Sequence, residues 1–299
     1  MGKIPFTLSL SKGLQGFDKL SPNGSTNFNE AIPVNLLRRR ALSTTLLLAA
    51  LLVSCAAPAP TVDPQVRLAL APTGKLRVGV YPGSPTSMVT DAKTGEKVGV
   101  ALDLGRELAR QLGVPFEPVQ YQRVAEVVDA LKVGAVDFTF TNASPARAKD
   151  VDFTAPLIDL ELGYLVPPGS AMQSAADADR VGMRIGVAQG STSQGTLLRD
   201  YKLAKVVPVP SLQVVAELLK QGQLDAFATN KAILFEMWDG LPGFRILDGR
   251  WGLEHLAVAV PKGREAGLPY LKQFAKQTKT SGLLQSIIDK SGLRGTAKP

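Results

Sequence analysis

The chain has 299 residues, 45% apolar and 20% charged, a globular composition with length enough for one or two cores. Its formal net charge is +8, but half of that excess sits before Cys55, where Lys3, Lys12, Lys19 and Arg38 to Arg40 face only Asp18 and Glu30. No dense Lys/Arg run with interleaved aromatics follows, which argues against nucleic-acid binding. Cys55 is the single cysteine, which excludes disulfides within the chain, cysteine metal clusters and Cys-x-x-Cys redox chemistry.

Arg38, Arg39 and Arg40 precede an apolar run from Ala41 to Val53. A basic segment followed by a short apolar one is the pattern of an export signal, and the run is too short to span a bilayer comfortably. Leu52-Val53-Ser54-Cys55 closes it and resembles the bacterial lipobox. The resemblance implies cleavage before Cys55 and lipid attachment there; an ordinary signal peptide with a free cysteine is the alternative. Residues 1–33, rich in Ser, Asn and Gly, do not fit this pattern. Translation is expected to begin near Val34, and precursor peptides from Lys3 to Glu30 in mass spectrometry would refute that. Pro58 to Pro72 reads as a flexible tether. Residues 1–54 are thus a leader with a lipoprotein signal peptide, and 55–73 a lipid-proximal linker.

Lys75 to Tyr81 predicts a strand, and Val100 to Leu112 a helix with Leu102, Leu104, Leu108 and Leu112 at helical spacing, ended by Gly113 and Pro115. Phe116 to Tyr121 is a second strand, Val124 to Leu131 a second helix, and Val136 to Thr141 a third strand. This βαβαβ order calls for a parallel sheet covered on both faces. Asp159 to Pro167 is extended and apolar, a connection leaving the unit. The pattern then repeats: strand Arg184 to Ala188, helix Gln194 to Asp200, strand Lys205 to Val209, helix Leu212 to Gln221 behind Ser211, strand Leu224 to Ala228 and helix Lys231 to Trp238. Leu256 to Val260 is a further strand, and Pro269 to Thr278 and Leu283 to Asp289 are closing helices.

Two similar α/β halves joined near 160–168 and 250–258 suggest a clamshell. Lobe 1 is 74–165, completed by 254–299, and lobe 2 is 166–253. In such sheets ligands bind beyond the carboxyl ends of the strands. Here those ends are Tyr81, Thr141 to Ser144, Gln189 to Thr192, and Thr229-Asn230.

The chain is organised around Asp137 to Pro156 (DFTFTNASPARAKDVDFTAP). Asn142, Ala143 and Ser144 make a polar crossing out of the strand. Ser144 is a plausible helix N-cap and Pro145 suits a first helical position. Arg147 then falls in the first turn, where the helix dipole disfavours a cation unless something negative lies nearby. Two readings stay open on spacing alone: an anion site, or a solvated arginine beside Asp150 or Asp152.

The order of elements and the local words resemble the bacterial extracellular solute-binding proteins of family 3, the polar amino-acid type binding components of ABC transporters. The resemblance covers Gly74 to Gly292. It rests on GKLRVGVYP, GVALDLGRELARQLGV, VGAVDFTFTNASPARAKDVDFTAP, RIGVAQGSTSQ, LLKQGQLDAFATN and LAVAVPKG, in that order. It implies a two-lobed, type II periplasmic-binding-protein clamshell of α/β class, each lobe a mostly parallel sheet with helices on both faces. It implies that Arg147 grips a ligand carboxylate, that Ser191 and Thr192 add amide and hydroxyl donors, and that Tyr81 covers the ligand. Thr141, Asn142 and Asn230 complete the expected site. The family often carries an aspartate for the ligand ammonium five residues beyond Asp225, but Asn230 stands there. The loop between Asp137 and Arg147 is also shorter than in common amino-acid binders. A small carboxylic acid or other small anion therefore rivals an amino acid as ligand. Trp251, Glu254 and His255, beside a lobe crossing, read as hinge or packing residues, and Asp103 and Asp137 as braces for backbone.

The resemblance implies a protein that binds without catalysis. Its partners would be a small anionic or zwitterionic ligand, the permease subunits of an ABC importer, and a membrane held through lipid on Cys55. The protein would be an exported monomer, periplasmic or at the cell surface, with no cofactor or metal. The fold also serves periplasmic dehydratases of cyclic carboxylic acids, for which His255, Glu161 or Glu254 would have to supply a general acid. A ligand-sensing module is the third reading.

Overall fold

The computed structural model describes residues 62–297. The export signal, Cys55 and the start of the linker lie outside the described residues. The elements run α1 (Pro64–Leu70), β1 (Leu76–Val80), β2 (Val89–Thr90), β3 (Lys97–Val98), α2 (Val100–Leu112), β4 (Phe116–Gln120), α3 (Val124–Lys132), β5 (Thr139–Asn142), β6 (Val151–Phe153) and β7 (Ile158–Val166). They continue β8 (Arg184–Ala188), α4 (Thr192–Asp200), β9 (Lys205–Val209), α5 (Leu212–Lys220), β10 (Ala226–Asn230), α6 (Lys231–Asp239), β11 (Arg245–Ile246), β12 (Gly252–Pro261), α7 (Leu268–Thr280) and α8 (Leu283–Lys290).

Sequence chemistry sets most boundaries. Leu102, Leu104, Leu108 and Leu112 form the buried stripe of α2. The helix stops at Gly113, whose φ of 65° is left-handed and whose N–H reaches back to Ala109 and Arg110 carbonyls. At the other end Gly99 has φ 155°, and a Cβ there would lie 2.2 Å from the Ser87 carbonyl oxygen, so only glycine fits this entry to the helix. One expectation is corrected in the tether. Asp63 accepts from the Gln65 N–H at 2.8 Å, Pro64 takes the first turn, and α1 buries Leu70 on the core. The Arg264 Nη1 donates to the Ala69 carbonyl at 2.6 Å and pins the helix.

β1 pairs with β4 in parallel, and Gly79 N–H donates to Phe138 O at 2.9 Å to bring in the β5 segment. The main sheet runs β5-β12-β7-β10-β8-β9. β8 lies parallel to both β9 and β10, whereas β7 and β12 run antiparallel to their neighbours. The main sheet is therefore mixed: parallel among the second-half strands β8, β9 and β10, antiparallel where the chain crosses between halves and returns, with the parallel β1–β4 pair of the first half standing apart. The segment at 159–167, expected as a plain connection, is a paired strand. β7 pairs with β12 from Ile158 to Leu162 and with β10 from Leu162 to Leu165. One core joins β1, α2, α7 and α8; separate ones form under β8–β10 with α4 to α6. This is the α/β two-lobed clamshell.

The two halves carry the same internal brace. Arg77 opens one, and its backbone N–H and Nε donate to Asp137 Oδ2 at 3.0 and 2.8 Å, while Nη2 reaches Gly134 O at 2.7 Å. Arg184 repeats this on Asp225 Oδ2 at 2.7 and 3.0 Å and on Gly222 O at 2.6 Å. Each clamp ties the start of a first strand to the turn before a third. β10 begins at Ala226, two residues later than expected, where its backbone pairing with β8 starts opposite Ile185.

The hydrogen-bonding Arg184 guanidinium holds the Asp225 carboxyl below its ordinary pKa. A depressed folded value contributes stability that is present above the unfolded carboxylate range and is lost as pH falls through the folded value. With both partners roughly a third exposed, solvent screening limits the contribution to about 1 kcal/mol. Asp225→Asn is expected to lower the melting temperature by about 2–4 °C at pH 7, and the gap to the parent is expected to narrow at pH 3. Melts at both pH values check this.

Candidate functional site

The carboxyl ends of the strands converge on one cleft. Four helices, α3, α4, α5 and α6, start at its wall, at Val124, Thr192, Leu212 and just after Asn230. The positive ends of their dipoles give the cleft a positive lining. Tyr81, Thr141, Asn142, Arg147, Ser191, Thr192 and Asn230 all line it. The structure thus brings the seven residues expected to contact ligand together, whereas Ala143, Ser144, Gln189 and Gly190 of the expected strand ends are not part of the lining.

Arg147 is only 9% exposed. The helix expected after Pro145 is a single 3-10 turn, Arg147–Lys149, and the Ser144 hydroxyl accepts from the Arg147 N–H at 3.3 Å, as a cap would. Nη1 donates to Thr141 Oγ1 at 2.7 Å and to Asn142 O at 3.5 Å. Among the described residues its Nε and Nη2 meet no protein acceptor. Burial pulls the guanidinium pKa down, opposed by the charge of Glu254. The solvated-arginine alternative is overturned: Asp150 pairs with Lys132 at 2.8 Å and Asp152 with Lys262.

The wall from the second half is prearranged. Ser191 caps α4 by accepting from Gln194 N–H at 3.1 Å, and Asn230 Oδ1 caps α6 by accepting from Ile233 N–H at 3.1 Å. Thr192 accepts from Asn142 Nδ2 at 3.2 Å, a bond that joins the two halves across the cleft. Its hydroxyl then donates to Glu254 Oε1 at 2.8 Å, and Asn230 Nδ2 donates to Glu254 Oε2 at 2.9 Å. Asn142 Oδ1 accepts from the His255 backbone N–H at 3.0 Å. Burial pushes the Tyr81 phenol pKa up, keeping that ring neutral.

Glu254 is the cleft residue that the ligand site expected from the sequence left out. Assigned to hinge or packing, it is 7% exposed and lines the cleft. The cause is the start of β12, at Gly252 rather than Leu256. Along it Glu254 is buried, His255 exposed and Leu256 buried, a period-two signal that extends the strand back through the acid. The other acids and bases considered for cleft chemistry lie elsewhere. Glu161 binds Lys231 at 2.7 Å and His255 Nδ1 binds Asp159 at 2.7 Å. Among the described residues no group of three or more His, Cys, Asp or Glu side chains is placed to hold a metal.

Known proteins share this architecture. The ABC transporter glutamine-binding protein GlnH of Bacillus subtilis is 24% identical over 226 residues, which are 74% of this chain and 82% of that protein. Among solved structures, a mutant of ArgBP from T. maritima superposes with a TM-score of 0.68 at 25% identity, covering 76% of this chain and 99% of that one. The ancestral amino acid-binding protein AncCDT-1, a precursor of cyclohexadienyl dehydratase, matches with a TM-score of 0.64 at 25% identity over 73% of this chain and 96% of that one. The family model for bacterial extracellular solute-binding proteins, family 3, matches residues 76–293. With that span and this fold, the chain belongs to the bacterial extracellular solute-binding proteins of family 3.

Proposed function

We propose that this protein is the substrate-binding component of an ABC importer, capturing a small carboxylate-bearing solute, an amino acid or related organic acid. The observation that carries this is Arg147: a buried guanidinium in the cleft, held by Thr141 through one nitrogen, with Nε and Nη2 left without protein acceptors among the described residues. A carboxylate docked there makes a charge-assisted, bidentate pair that supplies both affinity and orientation. Ser191, Thr192, Asn142 and Asn230 add uncharged donors, and Tyr81 closes one side. The relatives named for glutamine and amino acids support this class of ligand.

In this reading lobe 1 is 74–165 with 254–299, lobe 2 is 166–253, and β7 and β12 are the hinge. The closed form delivers the solute to a membrane permease, and lipid on Cys55 keeps the exported monomer beside it. Two close approaches support a closing cleft. A Cβ on Gly190 would lie 2.5 Å from Ala125 Cβ, and one on Gly83 would lie 2.9 Å from Leu212 Cδ1. Ala125→Leu, which keeps helix propensity, is expected to wedge the halves and weaken solute binding about 10-fold while leaving the ligand-free melting temperature within about 2 °C. Calorimetric titration and melts of the variant check both.

The test of the function is a thermal-shift panel of the twenty amino acids and small organic acids. One class is expected to stabilise the protein, and no response from any overturns the reading. The dehydratase alternative has one favouring observation, the buried Glu254 in the same cleft as Arg147. Incubation with cyclic dienoic acids is expected to yield no product; turnover would favour that alternative.

A further inference from the structure

We infer that Glu254, on the strand crossing between the halves, supplies the counter-charge for a ligand ammonium, so that the site takes a zwitterion and turns simple carboxylic acids away. The inference rests on the reading that Arg147 receives a carboxylate.

Glu254 is buried, and both its oxygens accept from neutral donors, Thr192 at 2.8 Å and Asn230 at 2.9 Å. No lysine or arginine among the described residues forms an ion pair with it. An ionised carboxyl has about four acceptor positions, so two remain. A buried carboxylate without a cation is costly, and Arg147 lines the same cleft with no acid paired to it among the described residues. The third charged residue of the cleft lining, Arg123, is paired with Glu126 at 3.0 Å, so Arg147 and Glu254 are the two opposite charges there that lack an ion-pair partner among the described residues. A molecule with a carboxylate and an ammonium on one carbon satisfies both. A carboxylic acid without the ammonium satisfies Arg147 and sets a second negative charge facing Glu254.

Asn230 fits this arrangement. Its Oδ1 is fixed by capping α6 on Ile233 N–H, which turns its Nδ2 toward Glu254. An aspartate at 230 has no proton to donate and would set two carboxylates at the 2.9 Å now spanned by the hydrogen bond. The neutral residue at the end of β10 is thus what a carboxylate on β12 requires. The charge has moved from one strand to another; the cleft has not lost it.

The test uses the twenty L-amino acids by thermal shift and then, for the one that stabilises most, calorimetric titration against the same skeleton with hydroxyl or hydrogen in place of the ammonium. The parent is expected to prefer the amino acid by about 100-fold or more, the scale set by a buried charge partner. Glu254→Gln, of the same shape, is expected to collapse that preference to within about 10-fold. Asn230→Asp is expected to weaken amino-acid binding. Glu254→Gln with the preference intact overturns the inference, and so does Asn230→Asp with tighter binding, which would place the ammonium at 230. Equal parent affinity for the amino acid and its deaminated form overturns it as well, while leaving the role of Arg147 standing. Full-strength binding by an Arg147→Ala variant instead refutes the carboxylate reading beneath it.

Discussion

Arg147→Ala is expected to abolish the thermal shift produced by the stabilising amino acid, with binding weakened by about 100- to 1000-fold. That scale is the loss of one partner of a buried, hydrogen-bonded charge pair, about 3–4 kcal/mol. The ligand-free protein should behave differently. Its guanidinium is buried with Thr141 and the Asn142 carbonyl as its only protein acceptors among the described residues. An uncompensated buried cation costs folding energy, so its removal should leave the ligand-free melting temperature unchanged or raise it. A purely structural arginine would do the opposite and lower it. Arg147→Lys separates charge from shape: the ammonium keeps the attraction but cannot make two parallel bonds to a carboxylate. It should retain part of the binding. Melts with and without amino acid, for parent and both variants, decide the matter. Undiminished binding by Arg147→Ala would remove the proposed function.

The largest effect on stability is expected at Asp137. Its side chain is fully inaccessible beside Arg77 and Arg264. It accepts from the Arg77 N–H at 3.0 Å, from Arg77 Nε and Nη2 at 2.8 Å each, and from Arg264 Nη2 at 3.2 Å. Arg264 in turn holds α1 through the Ala69 carbonyl. Asp137→Ala leaves two guanidinium groups and a backbone N–H without their acceptor. Breaking a buried pair from one side costs about 3–5 kcal/mol, a fall in melting temperature of about 6–20 °C for a domain of this size. The equivalent brace at Asp225 is partly exposed and should cost far less on the same substitution. Urea unfolding of both alanine variants compares them. Equal losses would show that burial does not govern these clamps.

The architecture was largely legible because local rules were strong. The α2 stripe ended by Gly113, the Ser211 cap, and the apolar runs of β1, β8 and β9 each announced an element, and the order of elements announced two α/β halves. Local rules failed where a tertiary partner overrode them. Pro58 to Pro72 read as a tether because proline and alanine dominate it, yet Leu70 found a core and Arg264 a carbonyl to hold. β10 starts at Ala226 rather than Leu224 because its first partner is Ile185 of β8, a pairing that is not visible from neighbours in the chain.

The sequence by itself determined the fold class, the helix starts that face the cleft, and the cluster around Arg147, because hydrophobic period, capping residues and strand ends act over a few residues. Only the tertiary structure decided that Asp150 and Asp152 belong to Lys132 and Lys262, and that a glutamate on the returning strand meets Thr192 and Asn230 inside the cleft. Those pairings join residues far apart in the chain. Local propensity carries no term for them; strand register and burial do.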